Sequence, residues 1–74
     1  MKTIATLPPL EPGQVWYYHP AWVYWERIGV AELDHLNFDR VTHGLPPYRP
    51  GTPPACAEVR WDGEVAIYLP GVTT

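Results

Sequence analysis

Three histidines, His19, His35 and His43, and one cysteine, Cys56, are the side chains best suited to hold a metal or attack a substrate. Zinc sites recruit ligands in close pairs such as Cys-x-x-Cys or His-x-x-x-His, because a short turn must aim both at one ion. The spacings here fit no such pattern, so neither a metal nor another cofactor is expected. Cys56 beside a histidine could form a thiolate–imidazole pair. It follows Pro53-Pro54-Ala55, however, and 74 residues leave little room for a substrate cavity of roughly 300–1,000 Å³. Glu26, Glu32, Asp34 and Asp39 concentrate acid in mid-chain. General acid–base work needs two of them in one cleft. A solvated acidic face, or an acidic patch that docks on a basic surface, is the simpler reading. With no nucleophile–base, metal or phosphate-loop pattern, the expectation is a protein that is not an enzyme.

The aromatics carry more information. Four Trp and five Tyr exceed what the core of so small a chain requires. The surplus is expected on a partner surface, where such side chains act as anchors. Stacking on single-stranded bases would need a positive groove. Lys2, Arg27, Arg40, Arg49 and Arg60 are scattered, and the formal net charge is −3. Direct nucleic-acid binding is therefore disfavoured, and a protein with a basic or apolar surface is the expected partner. The candidate contact residues are Trp16, Tyr18, Trp22, Tyr48 and Trp61, with Glu26, Glu32 and Asp34 steering the encounter. Pro47-x-x-Pro50 and Pro50-x-x-Pro53 have the spacing read by proline-binding grooves, but a stiff structural loop explains them as well.

Prolines dictate which elements can present these side chains. The ten prolines interrupt every stretch except residues 21–45, and a proline inside a helix costs about 3 kcal/mol. Residues 1–13 read as an extended arm with an edge strand at 3–7. Glu11-Pro12-Gly13-Gln14 matches a type II turn, and Gln14–His19 reads as a strand. Residues 22–30 alternate as a strand, against a competing helical stripe of Trp22, Trp25, Ile28, Leu33 and Leu36. Residues 32–37 suit a turn or short helix, and 37–43 a further strand. Residues 44–54 form a proline-rich loop.

At the C-terminal end, residues 57–69 read as a β-hairpin about Asp62-Gly63. A two-residue turn would pair Trp61 with Glu64 and Val59 with Ala66. A three-residue loop with a bulge at Gly63 would pair Arg60 with Glu64 and gather Ala57, Val59, Val65, Ile67 and Leu69 on one face. The burial pattern favours the second, leaving Trp61 in the loop. The expected fold is thus mainly β: a small antiparallel sheet or SH3-like barrel of four or five short strands, with at most one short helix within residues 21–37.

Pro12-Gly13, Trp16-Tyr17-Tyr18-His19 and Trp25-Glu26-Arg27-Ile28-Gly29-Val30-Ala31 resemble the start of a short, uncharacterised prokaryotic and phage β-domain family. The resemblance covers residues 12–31 and implies a small β-fold without implying an activity.

The chain is expected to be one domain, residues 1–74. No apolar run approaches the roughly 20 residues of a membrane span, and the first residues lack a signal-peptide pattern. A single cysteine excludes an internal disulfide and fits a reducing compartment, the cytoplasm or, for a phage product, the host cytoplasm. By type, a small acidic stand-alone chain matches phage or mobile-element inhibitors that bind a host nucleic-acid machine such as RNA polymerase or a CRISPR effector. A single-stranded nucleic-acid binder and a structural component of a larger particle are the alternatives.

Overall fold

The computed structural model describes residues 2–71. Six strands and one helix follow in chain order: β1 (Lys2–Ile4), β2 (Gln14–His19), β3 (Tyr24–Gly29), α1 (Val30–Thr42), β4 (Pro50–Gly51), β5 (Glu58–Trp61) and β6 (Glu64–Tyr68). They build one mixed sheet in the order β1-β6-β5-β3-β2-β4. The fold is mainly β, and the sheet stays open instead of closing into a barrel. Its β1–β6 and β3–β5 ladders are parallel, the others antiparallel.

The entry into β2 follows its turn chemistry. Gly13 takes φ +80°, and the Gln14 amide donates to the Glu11 carbonyl at 3.0 Å. β2 then pairs with β3 from Gln14↔Gly29 to His19↔Tyr24. Trp22 and Val23 lie in the connecting loop, so β3 begins two residues later than the alternation implies. Both of their amides donate to the His19 carbonyl, at 3.1 and 2.8 Å. Val23 pays for that closure with φ +61°, a conformation that β-branched residues rarely adopt.

The helix corrects the expectation of a strand at residues 37–43 and of a short helix confined to 21–37. Ala31, Glu32, Leu33, Leu36 and Arg40 are good helix formers in the proline-free window. Phe38, Val41 and Thr42, which suit a strand, are carried along as exposed positions. A Schellman motif ends α1. Gly44 sits at φ +76°, Leu45 N donates to Arg40 O at 2.9 Å, and Gly44 N to Val41 O at 3.0 Å.

The hairpin register is also corrected. Trp61 pairs with Glu64 and Val59 with Ala66 around a two-residue turn, with Asp62 at φ +49° and Gly63 at φ +79°. Positive φ at both centres is the type I′ turn, whose twist matches the strands it joins. Apolar residues serve both faces of this sheet, so one-sided burial does not discriminate between registers. Trp61 belongs to β5 and is half-buried.

Register partners share a sheet face, and neighbours along a strand alternate. On one face Ile4, Trp16, Val59 and Ala66 are buried, with Leu7, Trp25, Trp61 and Tyr68 packed against them. Trp25 lies so close to β4 that a Cβ on Gly51 would meet its ring at 3.3 Å. On the other face Tyr17 and Tyr24 are buried, and Leu33 is the buried residue of α1. The body is elongated, 44 × 25 × 19 Å, so few side chains are wholly enclosed. Residues 44–54, expected as a loop, also contribute the two-residue β4 against Trp16 and Tyr17.

Candidate partner-binding groove

The helix-bearing face of the sheet holds an open groove of about 860 Å³ between β3, α1 and the β5–β6 hairpin. β2 and β3 alternate strictly, so Tyr17, His19, Tyr24, Glu26 and Ile28 all point to this face. From α1 come Glu32 and Leu36, and from the hairpin Arg60 and Val65.

One end is a stack of rings. The His19 and Trp22 centroids lie 3.6 Å apart with planes 16° from parallel, and Tyr24 follows Trp22 at 5.6 Å and 15°. The loop between β2 and β3 delivers Trp22 to this position, with the residue 56% exposed. Tyr48, reaching over from the proline-rich loop, packs on Tyr17 and His19 at 5.6 Å from each. The amide of Asn37 donates to the Tyr48 carbonyl at 2.9 Å, and the Tyr48 amide to Asn37 Oδ1 at 2.8 Å. The Arg40 guanidinium lies 4.0 Å from the centre of the Tyr48 ring. The loop is thereby fastened to α1.

The middle of the groove is polar. The Tyr17 hydroxyl donates to Glu26 Oε2 at 3.5 Å, and Arg60 Nε lies 3.9 Å from Glu26 Oε1. Burial, and next the Glu26 charge, push the Tyr17 hydroxyl up to about 12. It is therefore a donor at neutral pH. His19 Nδ1 is buried with no hydrogen-bond partner among the described residues. Glu32 is exposed on the first turn of α1.

Three of the residues singled out from sequence, Trp22, Glu26 and Glu32, thus meet in one groove. The others are dispersed. Trp16 is enclosed in the core at 4% exposure, under the Arg27 guanidinium, and is not on offer to a partner. Tyr18 is exposed on the opposite face, and Asp34 is exposed on α1 outside the groove lining. Tyr48 is half-buried as a brace, and Trp61 packs against the core. His19, Tyr24, Leu36 and Arg60 are among the other residues that line the groove and did not stand out as contact residues in the sequence. The period-2 pattern of β2 could have found His19, but only tertiary folding brings Leu36 and Arg60 beside it.

The chain matches no family model, no curated protein and no solved structure. Its chemistry must be read from its own residues. His35 and His43 are exposed on and just after α1, and Cys56 is exposed in the turn before β5. No group of three His, Cys, Asp or Glu side chains able to hold a metal forms among the described residues. Likewise, no helix among them is long and apolar enough to cross a membrane. What the groove offers is an exposed indole and an apolar wall, with Glu32 free of any ion pair among the described residues and Glu26 paired with Arg60; Arg27 lines it as well. That combination suits a cationic, partly apolar side chain or segment.

Proposed function

We propose that this chain is a non-catalytic protein-binding regulator, of the inhibitor type, that docks through the Trp22 groove on a basic and apolar surface of a host protein. The observation that carries the reading is Trp22 itself. It is the most exposed tryptophan, yet its ring stacks on His19. An anchor already held in its bound geometry loses little entropy on docking. Glu32, which has no cationic partner within 4.0 Å among the described residues, supplies the opposite charge that steers a basic partner into register, while Glu26 is already paired with Arg60. Basic channels of nucleic-acid machines such as RNA polymerase or a CRISPR effector offer that surface, and a phage or mobile-element product acting in the host cytoplasm would meet it there.

Affinity capture from the native host, run in parallel with wild type, Trp22→Ala and Glu26→Lys/Glu32→Lys, tests the reading. Wild type should retain one protein in stoichiometric amount. Trp22→Ala should weaken its binding by about 2 kcal/mol, roughly thirtyfold. Equal recovery by wild type and Trp22→Ala would overturn it, as would recovery of nothing stoichiometric.

A further inference from the structure

The face opposite the groove carries a second surface, and the chain itself supplies a segment that fits it. Tyr18 and Trp25 are cross-strand partners whose rings meet edge to face, 5.7 Å apart at 67°. They form a common wall of two adjoining hollows. One, of about 310 Å³, is lined further by Pro46, Pro47, Pro50, Arg40 and Arg49. The other, of about 410 Å³, reaches Val23, Pro54 and Glu58. An aromatic ridge between shallow apolar hollows is the form of surface that receives a polyproline II segment, whose three-residue turns set prolines in rows.

Charge narrows the occupant. Arg40 and Arg49 line the first hollow with no carboxylate among its walls. Neither has a carboxylate partner within 4.0 Å among the described residues. Arg40 is held in place by donating to Pro46 O at 2.8 Å and to Tyr48 Oη at 3.1 Å. In a chain of net charge −3, this local positive site selects an acidic, proline-bearing segment.

Pro9-Leu10-Glu11-Pro12 is such a segment. All four residues are exposed, and Leu10 leaves 44% of its surface in water. Leu7, Pro8 and Glu11 each precede a proline, which biases them to the extended or polyproline II region. Pro9 and Pro12 are one polyproline turn apart, with Glu11 between them. The proline-rich loop at 44–54 contains Arg49 and no carboxylate, so it fits the basic hollow less well.

The placement of arm and ridge favours exchange between two copies. Arg27 donates from Nη1 to Pro9 O at 2.9 Å, which ties the arm to the middle of the β2–β3 ladder, where Arg27 is the register partner of Trp16. Tyr18 and Trp25 are the next pair on the same face, two residues along each strand, yet residues 9–12 line neither hollow in their own copy. Because the arm is held to its own sheet by Arg27 and by the Glu11–Gln14 contact, a second copy related by a two-fold axis can cover the ridge without breaking those bonds, in a closed and self-complementary arrangement. We infer that the chain pairs with a second copy of itself, the segment 9–12 of each copy lying on the Tyr18–Trp25 ridge of the other, with Glu11 facing Arg49. The Trp22 grooves then lie on the two outer faces, free for a partner.

Sedimentation of the full chain over a range of concentrations tests this. Wild type should show a reversible dimer. Glu11→Arg and Arg49→Glu should each raise its dissociation constant by about tenfold, since the pair occurs twice per dimer. The two substitutions together should restore association. Tyr18→Ala should weaken it, and Trp22→Ala should leave it unchanged. A wild type that stays monomeric overturns the inference, as does indifference to the single charge reversals or loss of the dimer in Trp22→Ala. A monomer that binds an added proline–aspartate peptide also overturns it, in favour of a foreign segment. Because Trp22→Ala separates the two surfaces, failure here is distinguishable from failure of the groove to bind a host protein.

Discussion

The indole of Trp22 rests on the imidazole of His19, with ring centroids 3.6 Å apart and planes 16° from parallel. The contact closes the β2–β3 loop and sets the orientation of the groove's exposed anchor. Stacked aromatic pairs contribute about 0.5–1.5 kcal/mol beyond the area they bury. His19→Ala is therefore expected to lower stability by about 1 kcal/mol in urea unfolding and to weaken capture of the host partner. Unchanged stability together with unchanged capture would show that the stack does not organise the site.

Val23 stands at φ +61° with 59% of its surface exposed. Its side chain gains little from burial, while the left-handed conformation costs about 1–2 kcal/mol. Asn tolerates that region, so Val23→Asn should raise stability by about 1 kcal/mol. A loss of stability in denaturant titrations would indicate that the valine makes up for its strain.

Gly51 allows the Trp25 ring to lie against β4. A Cβ there would meet Cη2 at 3.3 Å and Cζ3 at 3.4 Å. Gly51→Ala should cost about 1 kcal/mol by forcing the ring aside, and Gly51→Val more. Trp25 also walls the proposed arm-binding ridge, so Gly51→Ala should weaken dimerisation as well. Thermal unfolding and sedimentation read the two effects separately.

The Tyr17 hydroxyl, raised from 10.0 to about 12, makes stability depend on alkaline pH. The folded state holds this proton more tightly than the unfolded chain does. Its contribution is complete below pH 10 and declines as pH rises toward 12. Tyrosinate absorbance should show a late-titrating component that is lost in Tyr17→Phe. Glu26→Gln should lower that value only in part, because burial is the larger cause. A full return to the ordinary tyrosine value would place the cause in Glu26 alone.

Two of the chain's turns and the strand Gln14–His19 were plain in the linear order of residues, because they depend on local chemistry. Pro12-Gly13 specifies its turn, Gln14–His19 its strand, Asp62-Gly63 a hairpin, and the ten prolines exclude any helix outside residues 21–45. Other features turned on which of two competing local preferences prevailed. Residues 37–43 became helix because the uninterrupted window extends the turns begun at Val30. The hairpin register followed the backbone twist at Asp62-Gly63, since apolar side chains have uses on both faces of the sheet. Composition indicated more aromatic surface than the core encloses, yet it could not say which rings. Trp16 lies inside and Trp22 outside because β2 alternates its faces while the loop after Pro20 turns Trp22 back onto His19. Local propensity acts over a few residues, whereas a groove or a ridge exists only once strands from both ends of the chain lie side by side.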